Sequence, residues 1–188
     1  MPGWINDSVT FGSYQEVCGL SQKVGDCMSS VRILVVDDYQ PFRRFICSTL
    51  EQRLGLQVIG EASDGLQGVR QSEELQPDLI ILDLGLPKLN GIEAARQMRK
   101  CSPASKILIV SQESSADIAH EALNTGVLGY VVKAYAGNEL LPAVEMVLQG
   151  RQFISTGLLP STEGASCSDG YKGTLSIVAR KREIAGTP

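Results

Sequence analysis

Five short runs in this chain are predominantly apolar, and segments of helical period stand between them. The runs are "VRILVV" (31–36), "LQVIG" (56–60), "DLIIL" (78–82), "KILIV" (106–110) and "YVV" (130–132). Strands that bury only one face alternate apolar with polar residues, whereas these are continuous and therefore suit strands covered on both sides. Between them, "PFRRFICSTLEQRLG" sets Phe42, Phe45, Ile46, Thr49, Leu50 and Leu54 on one helical stripe, with Pro41 near the first turn and Gly55 as a stop. "GLQGVRQSEELQ" is a weaker helix because Gly68 interrupts it. "GIEAARQMRKC" and "SADIAHEALNTG" are good candidates. "NELLPAVEMVLQG" closes the series, with Asn138 as a cap and Pro142 required close to the first turn. Five βα units in succession, joined by right-handed crossovers, predict an α/β fold: an open parallel sheet with helices on both faces.

Ligands of such sheets bind outside the carboxyl ends of the strands. The residues to examine are therefore Asp37, Asp38, Asp83, Ser111 and Lys133, each just past a predicted strand. Taken singly, each has an ordinary explanation: an aspartate or serine there caps the next helix, and a lysine is a solvated surface amine. Together they mean more. Three carboxylates at one sheet edge repel one another unless a cation lies between them. Carboxylate oxygens, a backbone carbonyl from the loop after Asp83 and water suit octahedral Mg²⁺ better than a softer metal. Lys133 and Ser111 add the donors that an incoming phosphoryl group needs.

With 188 residues the chain holds one ordinary domain and some tails. Residues 1–29 carry Pro2, Gly3, Gly12, Gly19 and Gly25 with no sustained period and read as a loose leader, within which Met28 is a candidate start. Residues 156–188 read as a flexible tail with a short basic cluster, "ARKRE". A net charge of −4 and a pI near 5.1 give no general attraction to nucleic acid or acidic lipid. Cys18, Cys27, Cys47, Cys101 and Cys167 are scattered, without a C-x-x-C pair, and read as reduced thiols. No apolar stretch has the length of a membrane span, and the expected location is the cytoplasm.

Residues from about Val31 to about Ser155 resemble the receiver domain of two-component response regulators. The resemblance rests on "VVDD" for Asp37 and Asp38, on "ILDLGLPKLNG" with Asp83, Pro87 and Gly91, on "IVSQES" with Ser111, and on "GYVVK" with Tyr130 and Lys133. The wording "LGLPKLNGIEAAR" is similar to receivers of the LuxR-type class. Ala134 follows Lys133 where many receivers have proline. The resemblance implies a flavodoxin-like (βα)5 doubly wound sheet of strand order 2-1-3-4-5 over residues 30–155.

It also implies a signalling phosphoacceptor rather than an enzyme turning over a metabolite. A sensor histidine kinase or phosphotransfer protein would phosphorylate Asp83. Mg²⁺ would be held by Asp38 directly, by Asp37 partly through water, by Asp83 and by the carbonyl of Gly85. Lys133 and Ser111 would bind the phosphoryl oxygens, and Tyr130 would fill the space Ser111 vacates. Output would pass to a downstream protein partner or a homodimer. No specific DNA binding is expected, because the residues after 155 carry no pair of helical stripes for a helix-turn-helix. Two alternatives stay open: a pseudo-receiver that acts by binding alone, and a truncated transcriptional regulator. A haloacid-dehalogenase-type phosphatase is a poor fit, because Tyr39 stands two positions after Asp37 where that chemistry needs a second aspartate.

Overall fold

A computed structural model describes residues 30–158. The leader, Met28 and the tail beyond Leu158 lie outside the described residues, as do Cys18, Cys27 and Cys167. The elements run β1 (Val31–Val36), α1 (Gln40–Glu51), β2 (Leu56–Ala62), α2 (Gly65–Leu75), β3 (Leu79–Leu82), α3 (Gly91–Cys101), β4 (Lys106–Ser111), α4 (Ala116–Asn124), β5 (Gly129–Val132), α5 (Ala136–Leu148) and β6 (Phe153–Ile154). All strands pair in parallel in the order β2-β1-β3-β4-β5-β6. The expected order 2-1-3-4-5 is thus present, and β6 extends it by one short edge strand. Two residues show no period, which is why β6 is invisible in the sequence.

The continuous apolar runs split between two cores. Leu34, Val36, Ile80, Leu82, Ile107 and Ile109 face α2, α3 and α4, where they meet Ala94, Met98 and Ala122. Ile33, Val35, Leu79, Ile81, Leu108 and Val110 face the other way, onto Ile46 and Leu50 of α1 and Leu140, Val144 and Val147 of α5. Successive strand side chains point to opposite faces, so a sheet with helices on both sides needs every position apolar. Each fully buried Leu or Ile contributes roughly 2 kcal/mol from apolar burial.

Several expectations about the helices need correction. Leu54 is not on the α1 stripe: the helix ends at Glu51, residues 52–55 make the connection to β2, and Leu54 is fully exposed. Gly55, at φ +87°, turns the chain into β2 rather than stopping the helix. Gly68 does not interrupt α2, which runs through it, and lets the helix pack closely, since a Cβ there would lie 2.9 Å from both Met98 Cε and Val36 Cγ1.

In α5, a 3-10 turn at Lys133–Tyr135 runs straight into the helix, so the helix begins at Ala136. Asn138 is consequently inside it rather than capping it, and Pro142 is in its interior. Pro142 supplies no N–H to the carbonyl of Asn138. Both residues are exposed, so water can take that place. Residues 156–158, read as the start of the tail, form another 3-10 turn tied to α5, where Glu139 accepts hydrogen bonds from the Thr156 N–H at 3.1 Å and from the Ser155 hydroxyl.

Among the described residues no helix is long and apolar enough to cross a membrane. Cys47 and Cys101 are free thiols, and burial pushes Cys47 up to about 11, which keeps it protonated and unreactive.

Candidate functional site

Strand register brings the acidic residues together. Val36 pairs with Leu82 across β1 and β3, so Asp37 and Asp83 leave the sheet side by side. Ser111 pairs with Val132 across β4 and β5, which puts Lys133 one step beyond. Ser111 is the last residue of β4 rather than a residue past it. Asp38, Asp83, Gly85, Ser111 and Lys133 line one cavity of about 300 Å³ at this end of the sheet, together with Glu113.

The two adjacent aspartates divide their work. Asp37 is 1% exposed and Asp38 is exposed. Asp37 Oδ1 accepts a hydrogen bond from the Tyr39 N–H at 2.9 Å, turning the chain toward α1, but Tyr39 and not an aspartate occupies the N-cap position. Asp37 Oδ2 points inward, 2.7 Å from Lys133 Nζ, yet no hydrogen-bond donor is well aligned with it. Lys133 instead directs its hydrogen bond to Asp83 Oδ2 at 2.8 Å. The ammonium therefore stands between two buried carboxylates.

Burial raises the Asp37 carboxyl above its ordinary 3.8, with the Lys133 ion pair opposing that rise. Burial alone would depress Lys133, but the adjacent carboxylates of Asp37 and Asp83 overcome it and lift the amine above 10.5. Lys133 is firmly cationic.

A cation site is consistent with this geometry. One carboxylate oxygen from each of Asp37, Asp38 and Asp83 lies within 4.8 Å of the others. The donor set is all oxygen, which fits a hard divalent ion, and Lys133 is the one ammonium set against these three carboxylates, which leaves negative charge in excess.

Several supporting residues were not singled out from the sequence. Phe42, read only as an apolar stripe position, lies with its ring centroid 4.7 Å from Lys133 Nζ and roofs the amine. Arg43 donates from Nη1 to the Asp37 carbonyl at 2.6 Å and pairs with Glu61 at 2.9 Å. Their places in the first turn after "DD" are the signal that could have found them. Gly91, already marked in "ILDLGLPKLNG", lets α3 start against the acceptor strand, since a Cβ there would lie 2.2 Å from the Asp83 carbonyl oxygen.

Asp64 and Lys88 clamp the loop between β3 and α3. Asp64 caps α2 by accepting from the Gln67 N–H at 2.8 Å, and Lys88 Nζ reaches its other oxygen at 2.6 Å. Lys88, with the Gln67 N–H assisting, holds Asp64 below its ordinary 3.8. A depressed carboxylate stabilises the fold above the unfolded value and loses that contribution as pH falls through the lower, folded one. Asp64→Asn retains the cap but not the charge. Its melting temperature is expected to lie below wild type at neutral pH and to converge with it below pH 3.8; a constant gap across that range would show that charge is not what Asp64 contributes.

The Tyr130 ring is fully buried, and its hydroxyl donates to the Glu113 carbonyl at 2.9 Å. With that polar tip satisfied, the ring sits inside at little cost. Ser111 Oγ meanwhile accepts from the Glu113 N–H at 3.2 Å, so both side chains hold the same loop residue.

Comparison with known proteins agrees with the fold. The family model described as the response regulator receiver domain matches residues 33–145. The nitrate/nitrite response regulator protein NarL of Escherichia coli K12 is 34% identical over 128 residues, covering 68% of this chain and 59% of NarL. The crystal structure of a two-component response regulator of the LuxR family from Aurantimonas sp. SI85-9A1 superimposes with a TM-score of 0.66 at 36% identity, over 69% of this chain and 93% of that one. The response regulator domain of Thermotoga maritima CheB gives 0.60 at 30% identity, over 64% and 97%. By sequence and by fold, this chain belongs to the response regulator receiver domain family of two-component systems.

Proposed function

We propose that this chain is a phosphoacceptor: a histidine kinase or phosphotransfer protein delivers a phosphoryl group to Asp83, and the modified site changes a protein-binding surface. The observation that carries this reading is the buried Asp83 carboxylate held 2.8 Å from Lys133 Nζ at the wall of a cavity that Ser111 and Asp38 share. An Asp83 oxygen attacks phosphorus in line, the phosphorus–nitrogen bond to the donor imidazole breaks, and the imidazole leaves with the bonding pair. Lys133 stays protonated throughout and compensates charge on the phosphoryl oxygens, while the Ser111 hydroxyl donates to one of them.

Asp37, Asp38, Asp83 and the carbonyl of Gly85 would hold Mg²⁺, which when bound supplies positive charge to the phosphoryl oxygens and lowers repulsion toward the acceptor. The pocket leaves room for ligating water, so binding should be weak. Titrating Mg²⁺ is expected to raise the melting temperature of wild type and to leave Asp38→Ala unchanged. Equal stabilisation of both would remove Asp38 from the site, and no stabilisation of either would favour a receiver that works by binding alone.

The switch is assigned to β4, α4, β5 and α5. Drawing Ser111 toward the phosphoryl group takes its hydroxyl from the Glu113 N–H, and the loop before α4 must rearrange while Tyr130 remains inside. Densely packed interiors pass such a shift to the helices resting on those strands. Hydrogen exchange with and without a phosphoryl mimic is expected to change most between about residues 111 and 150, with Ser111→Ala blunting the response. A change confined to residues 42–75 would place the signalling surface on the other side.

Output through protein contact and a cytoplasmic location belong to the same proposal. NarL is by its name a nitrate/nitrite response regulator. No stimulus is transferred from it to this chain.

A further inference from the structure

A second cavity, of about 560 Å³, lies between α3 and α4, beside the acceptor pocket. Its floor is apolar, built from Leu84, Ile92 and Ile118, of which the two isoleucines are only partly buried. Its rim is acidic. Among the described residues that line it Arg96 is the one cation, 3.4 Å from Glu93 and 3.8 Å from Glu121, and Glu113 adds a third carboxylate. The side chains of Glu93, Arg96 and Glu121 are 42%, 50% and 59% exposed, so the rim faces solvent with carboxylates in excess. Such a groove calls for a ligand with aliphatic side chains next to clustered positive charge.

The chain itself carries one. "LSIVARKR", residues 175–182, joins Leu175, Ile177 and Val178 to Arg180, Lys181 and Arg182. The N-terminal 29 residues do not fit, because Asp7, Glu16 and Asp26 outnumber Lys23 there. The described chain ends on the correct side of the sheet: Leu158 packs on the core cluster that contains Ala119 and Ala122 of α4, not on the one beneath α1 and α5. Sixteen residues lie between Leu158 and Leu175, which are seventeen positions apart. Fully extended they reach about 55 Å at roughly 3.3 Å per residue, several helix diameters, so the connection is long enough.

We propose that residues 175–182 dock within the same molecule in the groove between α3 and α4, with the aliphatic residues on its floor and the basic cluster on its acidic rim. Gly85 and Glu113 line both cavities, so an occupied groove narrows the approach to Asp83 and restrains the loop before α4. Docking is largely electrostatic at the rim and weakens with salt.

Methyl NMR on the full chain tests this without reference to phosphorylation. Reversing the tail charges (R180E, K181E, R182E) is expected to move the Ile92 and Ile118 methyl resonances while Ile33 and Ile81, in the opposite core, stay in place. The reciprocal variant (E93K, E121K) is expected to move the Ile177 methyl. Unchanged Ile33 and Ile81 resonances report that each variant is folded. If Ile92 and Ile118 ignore the tail variant and Ile177 ignores the groove variant, the tail does not occupy the groove and the proposal is wrong. If the shifts disappear on tenfold dilution, the occupant is the tail of a second copy, and intramolecular docking is equally overturned.

Discussion

Replacing Lys133 by alanine is expected to destabilise the chain by about 3 to 5 kcal/mol at neutral pH in the absence of divalent cations, the usual cost of stranding buried charge. Lys133 Nζ lies 2.7 Å from Asp37 and 2.8 Å from Asp83, and those residues are 1% and 5% exposed. Without the ammonium, two adjacent carboxylates face each other with no cation. The Phe42 ring also loses its partner, a smaller effect of about 0.5 to 2 kcal/mol. The folded variant relieves the repulsion by taking up a proton, so its carboxylate titration lies above the ordinary 3.8. A raised carboxylate pKa means that the folded state binds more protons than the unfolded one in that window, and stability falls as pH rises through it. The penalty should therefore be small near pH 4 and complete at neutral pH, and Mg²⁺ should rescue the variant more than it stabilises wild type. Urea unfolding at both pH values, with chelator and with Mg²⁺, checks this. A penalty under about 1 kcal/mol that ignored pH would mean that Lys133 behaves as a solvated amine.

How far the site could be read in advance depended on where its residues lie in the chain. Asp37, Asp38, Asp83, Ser111 and Lys133 were legible because each ends or follows a strand, and a parallel sheet gathers such positions at one edge. Their unequal burial was not legible. Nothing in "DD" says that the first carboxylate goes inside and the second stays in solvent, since that follows from the Tyr39 N–H and the Arg43 guanidinium fixing the turn. The Asp64–Lys88 clamp was equally hidden, being a pairing between two loops that only the fold brings together.

The strands were read closely because continuous apolar runs have short, defined ends. Helix limits fared worse. Periodicity carried α1 on to Leu54, although the chain needs those residues to turn into β2. Cap chemistry at Asn138 and the proline rule placed the α5 start too late, because the preceding 3-10 turn already supplies helical geometry. The inward Tyr130 depends on a single acceptor, the Glu113 carbonyl, which no local pattern in "GYVVK" records.

Replacing Asp83 by asparagine is expected to abolish phosphorylation outright while leaving the fold intact. The amide is nearly isosteric with the carboxylate and keeps an oxygen that can accept from Lys133, and Asp37 remains as that lysine's charged partner. What disappears is the anionic nucleophile. Of the other carboxylates nearby, Asp38 and Glu113 are exposed and lack the Lys133 hydrogen bond that Asp83 has, and the Asp37 carboxylate is buried beneath Lys133. The decisive measurement is the mass of the intact chain after reaction with acetyl phosphate and Mg²⁺, followed by mapping of the modified peptide. Wild type should gain one phosphoryl group located on Asp83, and Asp83→Asn should gain none. Equal labelling of the variant, or a wild-type phosphoryl group found on another residue, would contradict the assignment of Asp83 as the acceptor.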